Sequence, residues 1–434
     1  MARGITFKLE VISPIHMSSR RYQTFNETAE FIPATTFRGM LANVICAKRD
    51  KLKCENCDIR TACDFDKIFP EDAGVRFENL YTLHNAHTTE TDYILVYVLP
   101  ATAVSCKRNP GFSSQFKYEL SKRIKKPYDT KPHGVFDTLI MQLAHKIVGN
   151  YDYNLKCPDP ECCSKTEPFN GFYNFAPIGV ALMKSEVPKR RMVRTAINRA
   201  RRTAEEEMLY SLEVIEEGTL FFGAITLKDD SLAAVLENRL KGLKDTRLGG
   251  VRSRGFGEIN IFAVKNTNFD GKVKERIQTF NHFLGEYIQK HEGEKNGEYF
   301  VLDLQSDVIM KNGMGEYSAI IDKEMFLRQL QIFDSNLSID GLELFKWTTS
   351  QGHFSAWSNV WKLNRDIEPT IKSGCVFVFK VDAITDELIN ALEKLQTWGI
   401  GERCEEGFGK VVICDPFHWG FQEKDKDYNP NWRY

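Results

Sequence analysis

The chain contains no run of about 18 apolar residues, the length needed to span a bilayer as a helix. Its first residues, Met1-Ala-Arg-Gly-Ile-Thr-Phe, pass directly into an alternating pattern without a signal-peptide core. These two absences predict a cytoplasmic protein with no membrane partner. An excess of charge is also missing: 58 Lys and Arg face 59 Asp and Glu, for a net charge of −1. Bulk charge therefore gives no argument for a polyanionic partner. The eleven cysteines of a chain expected in a reducing compartment do not suggest a disulfide framework, and clustered thiols there point to metal.

What is present is a repeat. The first copy runs from Gly218 through Thr-Leu-Phe-Phe-Gly-Ala-Ile-Thr-Leu, then a helix opened by Ser231. It continues with Arg247-Leu-Gly-Gly-Val-Arg-Ser-Arg-Gly-Phe-Gly and a strand from Glu258. About 150 residues later the second copy begins at Gly374 with Cys-Val-Phe-Val-Phe-Lys-Val, followed by a helix opened by Thr385. It then has Gly399-Ile-Gly-Glu-Arg-Cys-Glu-Glu-Gly-Phe-Gly and Val411-Val412-Ile413. The repeat predicts two related domains, and 434 residues exceed what one hydrophobic core usually serves.

The glycine loops follow a helix and precede a strand, the reverse of a dinucleotide-binding fingerprint, so that reading fails on order. Such loops can take positive φ and present bare amides to a polyanion. Arg247, Arg252 and Arg254 surround the first loop, which makes phosphate contact chemically sensible. A single loop could be only a tight turn, since helices often end in glycine. The second carries Glu402, Glu405 and Glu406 beside Arg403 and Lys410, so it is the weaker phosphate site.

Positive charge is concentrated locally. Between Lys184 and Thr203, eight of twenty residues are basic: Lys184, Lys189, Arg190, Arg191, Arg194, Arg199, Arg201 and Arg202. Lys107 to His133 holds eight more against Glu119 and Asp129. One phosphate-facing surface is the expectation, with a solvated helical face as the alternative for the Arg194 to Arg202 segment.

Residues 4–12 alternate as a strand. Thr35 or Thr36 is placed to cap a helix with Phe37, Met40, Leu41, Val44 and Ile45 on one face. With the later repeat unit this gives an α+β chain of two βαββαβ domains. The first is expected at 1–267 with an insertion at about 46–175, and the second at 298–416. A connector at 268–297 carries a helix around Val273 to Gln289, and 417–434 form an aromatic tail.

These motifs resemble the RAMP superfamily of CRISPR-associated proteins. The resemblance rests on Ile32-Pro-Ala-Thr-Thr-Phe-Arg-Gly-Met-Leu, on Thr195-Ala-Ile-Asn-Arg-Ala-Arg-Arg-Thr-Ala followed by Leu209-Tyr210, and on both glycine loops. The Cys-Pro…Cys segment leading into Pro168-Phe-Asn-Gly-Phe-Tyr, with Phe354-Ser-Ala-Trp before Trp361, is most similar to the large double-domain RAMP of type III-D effector complexes. It implies ferredoxin-like (RRM-like) domains and a non-catalytic subunit that holds the 5′ handle of guide RNA and caps the backbone filament. The implied partners are guide RNA, the large signalling subunit and neighbouring backbone RAMP subunits, with target RNA met indirectly. The resemblance carries RNA binding to Gly249, Gly250, Arg252, Arg254, Gly255 and Gly257, and to Gly399, Gly401, Gly407 and Gly409. His16, Arg20, Arg21, Arg38, Arg194, Arg199, Arg201, Arg202, Arg247 and Arg403 join them as candidate RNA-binding residues.

Two cysteine pairs lie inside the insertion: Cys54 with Cys57, and Cys157 with Cys162. Folded together they would give a closed tetrahedral Cys₄ site for structural Zn²⁺. Cys63 or Cys163 could replace a member, and His84 or His87 are outside candidates. Cys46, Cys106, Cys375, Cys404 and Cys414 lack ligand spacing and are assigned to packing.

Catalysis has one candidate. His16 follows the first strand, with Arg20, Arg21 and Tyr22 nearby, so it could act as general base of a metal-independent endoribonuclease processing precursor CRISPR RNA. The competing role is a loop histidine that bonds locally or contacts RNA, and the expectation is no catalysis. No Gly-Gly-Asp-Asp run or His-Asp pair occurs.

Overall fold

The computed structural model describes residues 2–22, 24–46, 63–83, 96–112, 131–149, 155–157, 159, 161–175, 182–198, 203–269, 272–358 and 363–419. The chain divides into two compact units. Unit 1 comprises Met1–Leu95, Ser185–Phe269 and Glu405–Gly407, and unit 2 comprises Val96–Lys184, Asp270–Cys404 and Phe408–Tyr434.

The main sheet of unit 1 is antiparallel, with strand order Ile259–Phe269, Ala2–Val11, Leu220–Leu227 and Val75–Phe77. Tyr81–Thr82 also pairs with Leu220–Leu227. Alternation puts Ile5, Phe7, Leu9 and Val11 into the core. Gly223 faces Phe7, whose ring would lie 2.3 Å from any Cβ there. The missing side chain lets Phe7 stack on Phe37 at 5.0 Å.

Phe37 comes from the helix Ala34–Ile45, which buries Met40, Leu41 and Ile45 on the same face. Val44, expected on that face, is 46% exposed. Neither Thr35 nor Thr36 caps this helix. Pro33 is the N-cap, and Asn79 Oδ1 accepts from the Ala34 amide at 2.9 Å. The acceptor for this helix end thus comes from far along the chain, where local sequence offers no sign of it. The helix Ser231–Lys241 adds Leu232, Leu236 and Leu240 to the core.

A second sheet of unit 1 runs in the order Lys189–Asn198, Thr203–Ile215, Phe25–Thr28 and Ser18–Arg21. The basic segment is therefore a strand through Asn198, not a helical face.

In unit 2 the antiparallel order is Glu343–Thr348, Val376–Val381, Glu298–Leu304 and Val411–Ile413. Helices Lys323–Gln331 and Asp386–Trp398 share its core, and Thr385 Oγ1 caps the latter by accepting from the Leu388 amide at 3.2 Å. The expected connector, Val273–Lys290, is a core helix of unit 2 that buries Ile277, Phe280, Leu284 and Ile288. The beginning of the expected tail belongs to unit 2 too, with Phe417, His418 and Trp419 buried.

The stretch read as one insertion at about 46–175 divides. Val75–Phe77 and Tyr81–Thr82 complete the unit 1 sheet, whereas Val96–Lys184 belongs to unit 2. The physical reason is the helix Leu139–Val148, whose Leu139, Ile140, Leu143 and Ala144 join the unit 2 core cluster. Among the described residues, no helix is long and apolar enough to cross a membrane.

Candidate nucleic-acid interface

The two glycine loops share one backbone scheme. Leu248 N donates to Gly257 O at 2.7 Å, and Ile400 N to Gly409 O at 2.9 Å. Gly257 N donates to Pro14 O, and Gly409 N to Asp307 O, both at 2.9 Å. Gly250 N reaches His16 O, and Glu402 N reaches Ile309 O, again both at 2.9 Å. Val251 and Arg403 each have φ of 58°, and each precedes a short 3₁₀ turn, Arg252–Arg254 or Cys404–Glu406.

Glycine is required where these chains cross. A Cβ on Gly257 would sit 2.1 Å from Leu248 O, and one on Gly409 would sit 2.0 Å from Ile400 O. Both residues also have positive φ. The sequence expectation of bare amides is corrected here: the amides of Gly250, Gly255 and Gly257 all donate to carbonyls of unit 1. Side chains, not these three amides, give the first loop its positive surface.

Arg247, Arg252 and Arg254 are exposed. Arg247 Nη1 donates to Arg252 O at 3.0 Å, and Arg254 donates to the Tyr210 hydroxyl. Phe256 is buried with Leu212 and Val214, while the Arg194 guanidinium lies 4.9 Å from its ring centre. Arg191 stacks over Phe25 at 4.6 Å, and its Nε donates to Ser211 Oγ at 2.9 Å. The strand and the loop thus present Arg194, Tyr210 and Arg254 close together, with flat groups that suit nucleobases and cations that suit phosphates.

Other basic residues have partners of their own. Arg190 pairs with Glu217 at 2.6 Å, and Lys189 lies 3.3 Å from Glu30 and 3.4 Å from Glu213. Arg38 is half-buried, donates to Phe69 O at 2.5 Å and lies 5.5 Å from the Phe69 ring centre. In the second loop, Arg403 pairs with Glu368 and sits 5.0 and 5.2 Å from the rings of Phe354 and Phe408. Lys311 pairs with Glu402 at 2.8 Å. Arg20 and Arg21 fall in the strand Ser18–Arg21. Arg199, Arg201 and Arg202 lie outside the described residues.

His16 is only 5% exposed, and its Nδ1 lies 2.8 Å from Glu213 O. A Cβ on Gly249 would come within 2.8 Å of His16 O. The corresponding place in the second copy is Ile309. A polar ring thus adjoins the arginine-bearing loop, and an apolar residue adjoins the acidic one.

The thiols gather differently from the expectation. Cys106, His133, Cys157 and Cys162 bring four ligand atoms within 4.8 Å of one another, a set that could hold a metal ion. Cys157 and Cys162 were expected there. Cys106, assigned to packing, is corrected to a member, and His133 was missed because both arrive from distant sequence. Cys54, Cys57, His84 and His87 lie outside the described residues. Cys163 is exposed and Cys63 lies in unit 1, and neither joins the set.

Two copies of a strand–helix–glycine-loop–strand unit, each closing an antiparallel sheet, define the class of fold. The sequence matches the RAMP superfamily over residues 8–260, more than half its length, and the chain belongs to that superfamily. No curated protein matches it. Among solved structures it is similar to a chain of the type III-B Cmr-beta complex bound to cognate target RNA, at 13% identity and a TM-score of 0.31, over 59% of this chain and 96% of that one. A second chain, from the complex bound to cognate target RNA and AMPPnP, has 12% identity and a TM-score of 0.37, over 90% and 93%. A Cas6 product complex has 12% identity and a TM-score of 0.27, over 46% and 80%.

Proposed function

We propose that this protein is a non-catalytic RNA-binding subunit of a type III CRISPR effector complex, most similar to the large RAMP of type III-D. In this reading unit 1 holds the 5′ handle of the guide RNA and the protein caps the backbone filament. Its partners are guide RNA, the large signalling subunit and neighbouring backbone RAMP subunits, with target RNA met indirectly. The two domains are ferredoxin-like, a reading supported by strand orders in which the first strand of each copy lies between the last strand and the strand before the second helix.

The observation that carries the proposal is the asymmetry of decoration on one backbone. The first loop offers exposed Arg247, Arg252 and Arg254, whereas the second offers Arg403 and Glu402 already engaged with Glu368 and Lys311. The first is the better supplied with exposed cations for a phosphate backbone. The burial of His16, only 5% exposed, supports a positioning role for that residue over a general base.

The test is to mix full-length protein with end-labelled CRISPR repeat RNA in EDTA and run native and denaturing gels on the same samples. A salt-sensitive shift with intact RNA is the expected result. A new cut that disappears in His16→Ala would replace the proposal with an endoribonuclease. The absence of any shift would leave a protein–protein scaffold.

A further inference from the structure

Unit 2 carries a second chemical feature, distant in kind from the basic interface. Cys106 ends the strand Ala103–Cys106, and His133 precedes the strand Val135–Asp137 that pairs with it. Cys157 and Cys162 bracket a turn in which Cys162 N donates to Asp159 O at 2.9 Å and Cys157 N donates to Ser164 O at 2.8 Å. Three chain segments thus deliver three thiols and one imidazole to one point.

The four ligand atoms, all within 4.8 Å of one another, are near the spacing of a tetrahedral site. Zn–S bonds of about 2.3 Å and a Zn–N bond of about 2.05 Å set tetrahedral edges of about 3.8 Å for S···S and about 3.6 Å for S···N. Cys106 Sγ and Cys162 Sγ are 3.8 Å apart, and His133 Nδ1 is 3.1 Å from Cys157 Sγ. Closing that difference takes a shift of about half an ångström, within side-chain freedom.

The outer groups are those a metal-bound histidine needs. With Nδ1 turned to the thiols, His133 Nε2–H faces the Asp159 carboxylate, 3.5 Å away at Oδ2, and the Asn109 side-chain amide at 2.8 Å, which accepts that proton once its oxygen is flipped to the ring. The Asn109 backbone amide donates to Cys106 Sγ at 3.4 Å, which suits a thiolate. Three sulfurs and one nitrogen favour zinc over the oxygen-seeking Ca²⁺ and Mg²⁺.

We propose that Cys106, His133, Cys157 and Cys162 bind one structural Zn²⁺. On binding, the three thiols lose their protons to solvent, and the four ligands leave no open position for substrate. The ion ties the ends of the basic 107–133 segment to the Cys157–Cys162 turn. This proposal does not rest on RNA binding, and its test contains no RNA.

The experiment is elemental analysis of the full-length protein purified without chelator, followed by exchange with Co²⁺ alone. One zinc per chain is expected, and the cobalt form should show thiolate charge-transfer bands with the intense visible bands of a tetrahedral ion. Cys106→Ser should lose the metal, while the Cys54→Ser, Cys57→Ser double variant should retain it. His133→Cys should retain it and raise the charge-transfer intensity by about a third, as three thiolates become four. That variant decides the matter even if Cys106→Ser fails to fold. Substoichiometric zinc, iron in its place, a Cys106–Cys162 disulfide, metal lost only with Cys54 and Cys57, or a cobalt spectrum unchanged by His133→Cys would overturn the proposal.

Discussion

The carbonyl of His16 accepts the amide of Gly250 at 2.9 Å, so the turn after the first strand and the glycine loop are fastened backbone to backbone. Side chains on the loop can therefore change without releasing it from the strand.

The first prediction separates space from conformation among the loop glycines. Gly255→Ala meets open space and only the left-handed backbone, with φ of 88°. It should cost about 1–2 kcal/mol. Gly257→Ala adds the 2.1 Å encounter with Leu248 O and should cost clearly more. Urea unfolding of both variants checks the order.

Charge reversal tests the proposed interface. Arg252→Glu with Arg254→Glu should weaken RNA binding at every sequence and reduce the slope of log affinity against log salt by about two. Arg38→Ala, which loses contacts to Phe69, should lower stability and leave that slope unchanged. Fluorescence anisotropy across a salt series reads both.

A third prediction concerns the buried ionic group of unit 2. His418 Nδ1 lies 2.6 Å from Asp137 Oδ2, and its Nε2 lies 3.0 Å from Asp303 Oδ1. His418→Ala would leave buried carboxylates without this cation and should cost about 3–5 kcal/mol. All six tryptophans lie at or beyond Trp347, in unit 2, so tryptophan fluorescence follows the unfolding of this unit.

The same group sets a pH dependence. Burial, reinforced by Asp303, pushes the Asp415 carboxyl from its ordinary 3.8 up to about 6. The folded state keeps a proton that the unfolded chain releases, so stability falls as pH rises from about 4 to about 6. Burial opposes the charge on His418, but Asp303 and Asp137 outweigh it and hold its pKa well above 6.5. That contribution is complete below pH 6.5 and is lost as pH climbs through the raised value. Unit 2 should therefore melt higher at about pH 5 than at about pH 8, as tryptophan-detected melts would record.

The repeat was legible because glycines at Gly257 and Gly409 mark places where a backbone crossing forbids any side chain. The core face of Ala34–Ile45 was legible through its helical spacing. Its N-terminal partner was not, because Asn79 lies 45 residues from Ala34. The same limit hid the metal-ligand set, since Cys106 and Cys162 are 56 positions apart. In the basic run, the acids that pair with Lys189 and Arg190, Glu30 and Glu217, belong to other segments and were not visible along the sequence. Charge counted along a sequence misses neutralisation made in space.

The paired loops behave as interchangeable sockets. Their closures use main-chain atoms, so the insert between Val251 and Gly255 has the same anchorage as that between Arg403 and Gly407. Grafting Arg-Ser-Arg onto Cys404–Glu406 becomes a matter of altering three side chains on an unaltered mount. The two copies keep the mount and differ at the inserts and at the residue beside each, His16 or Ile309.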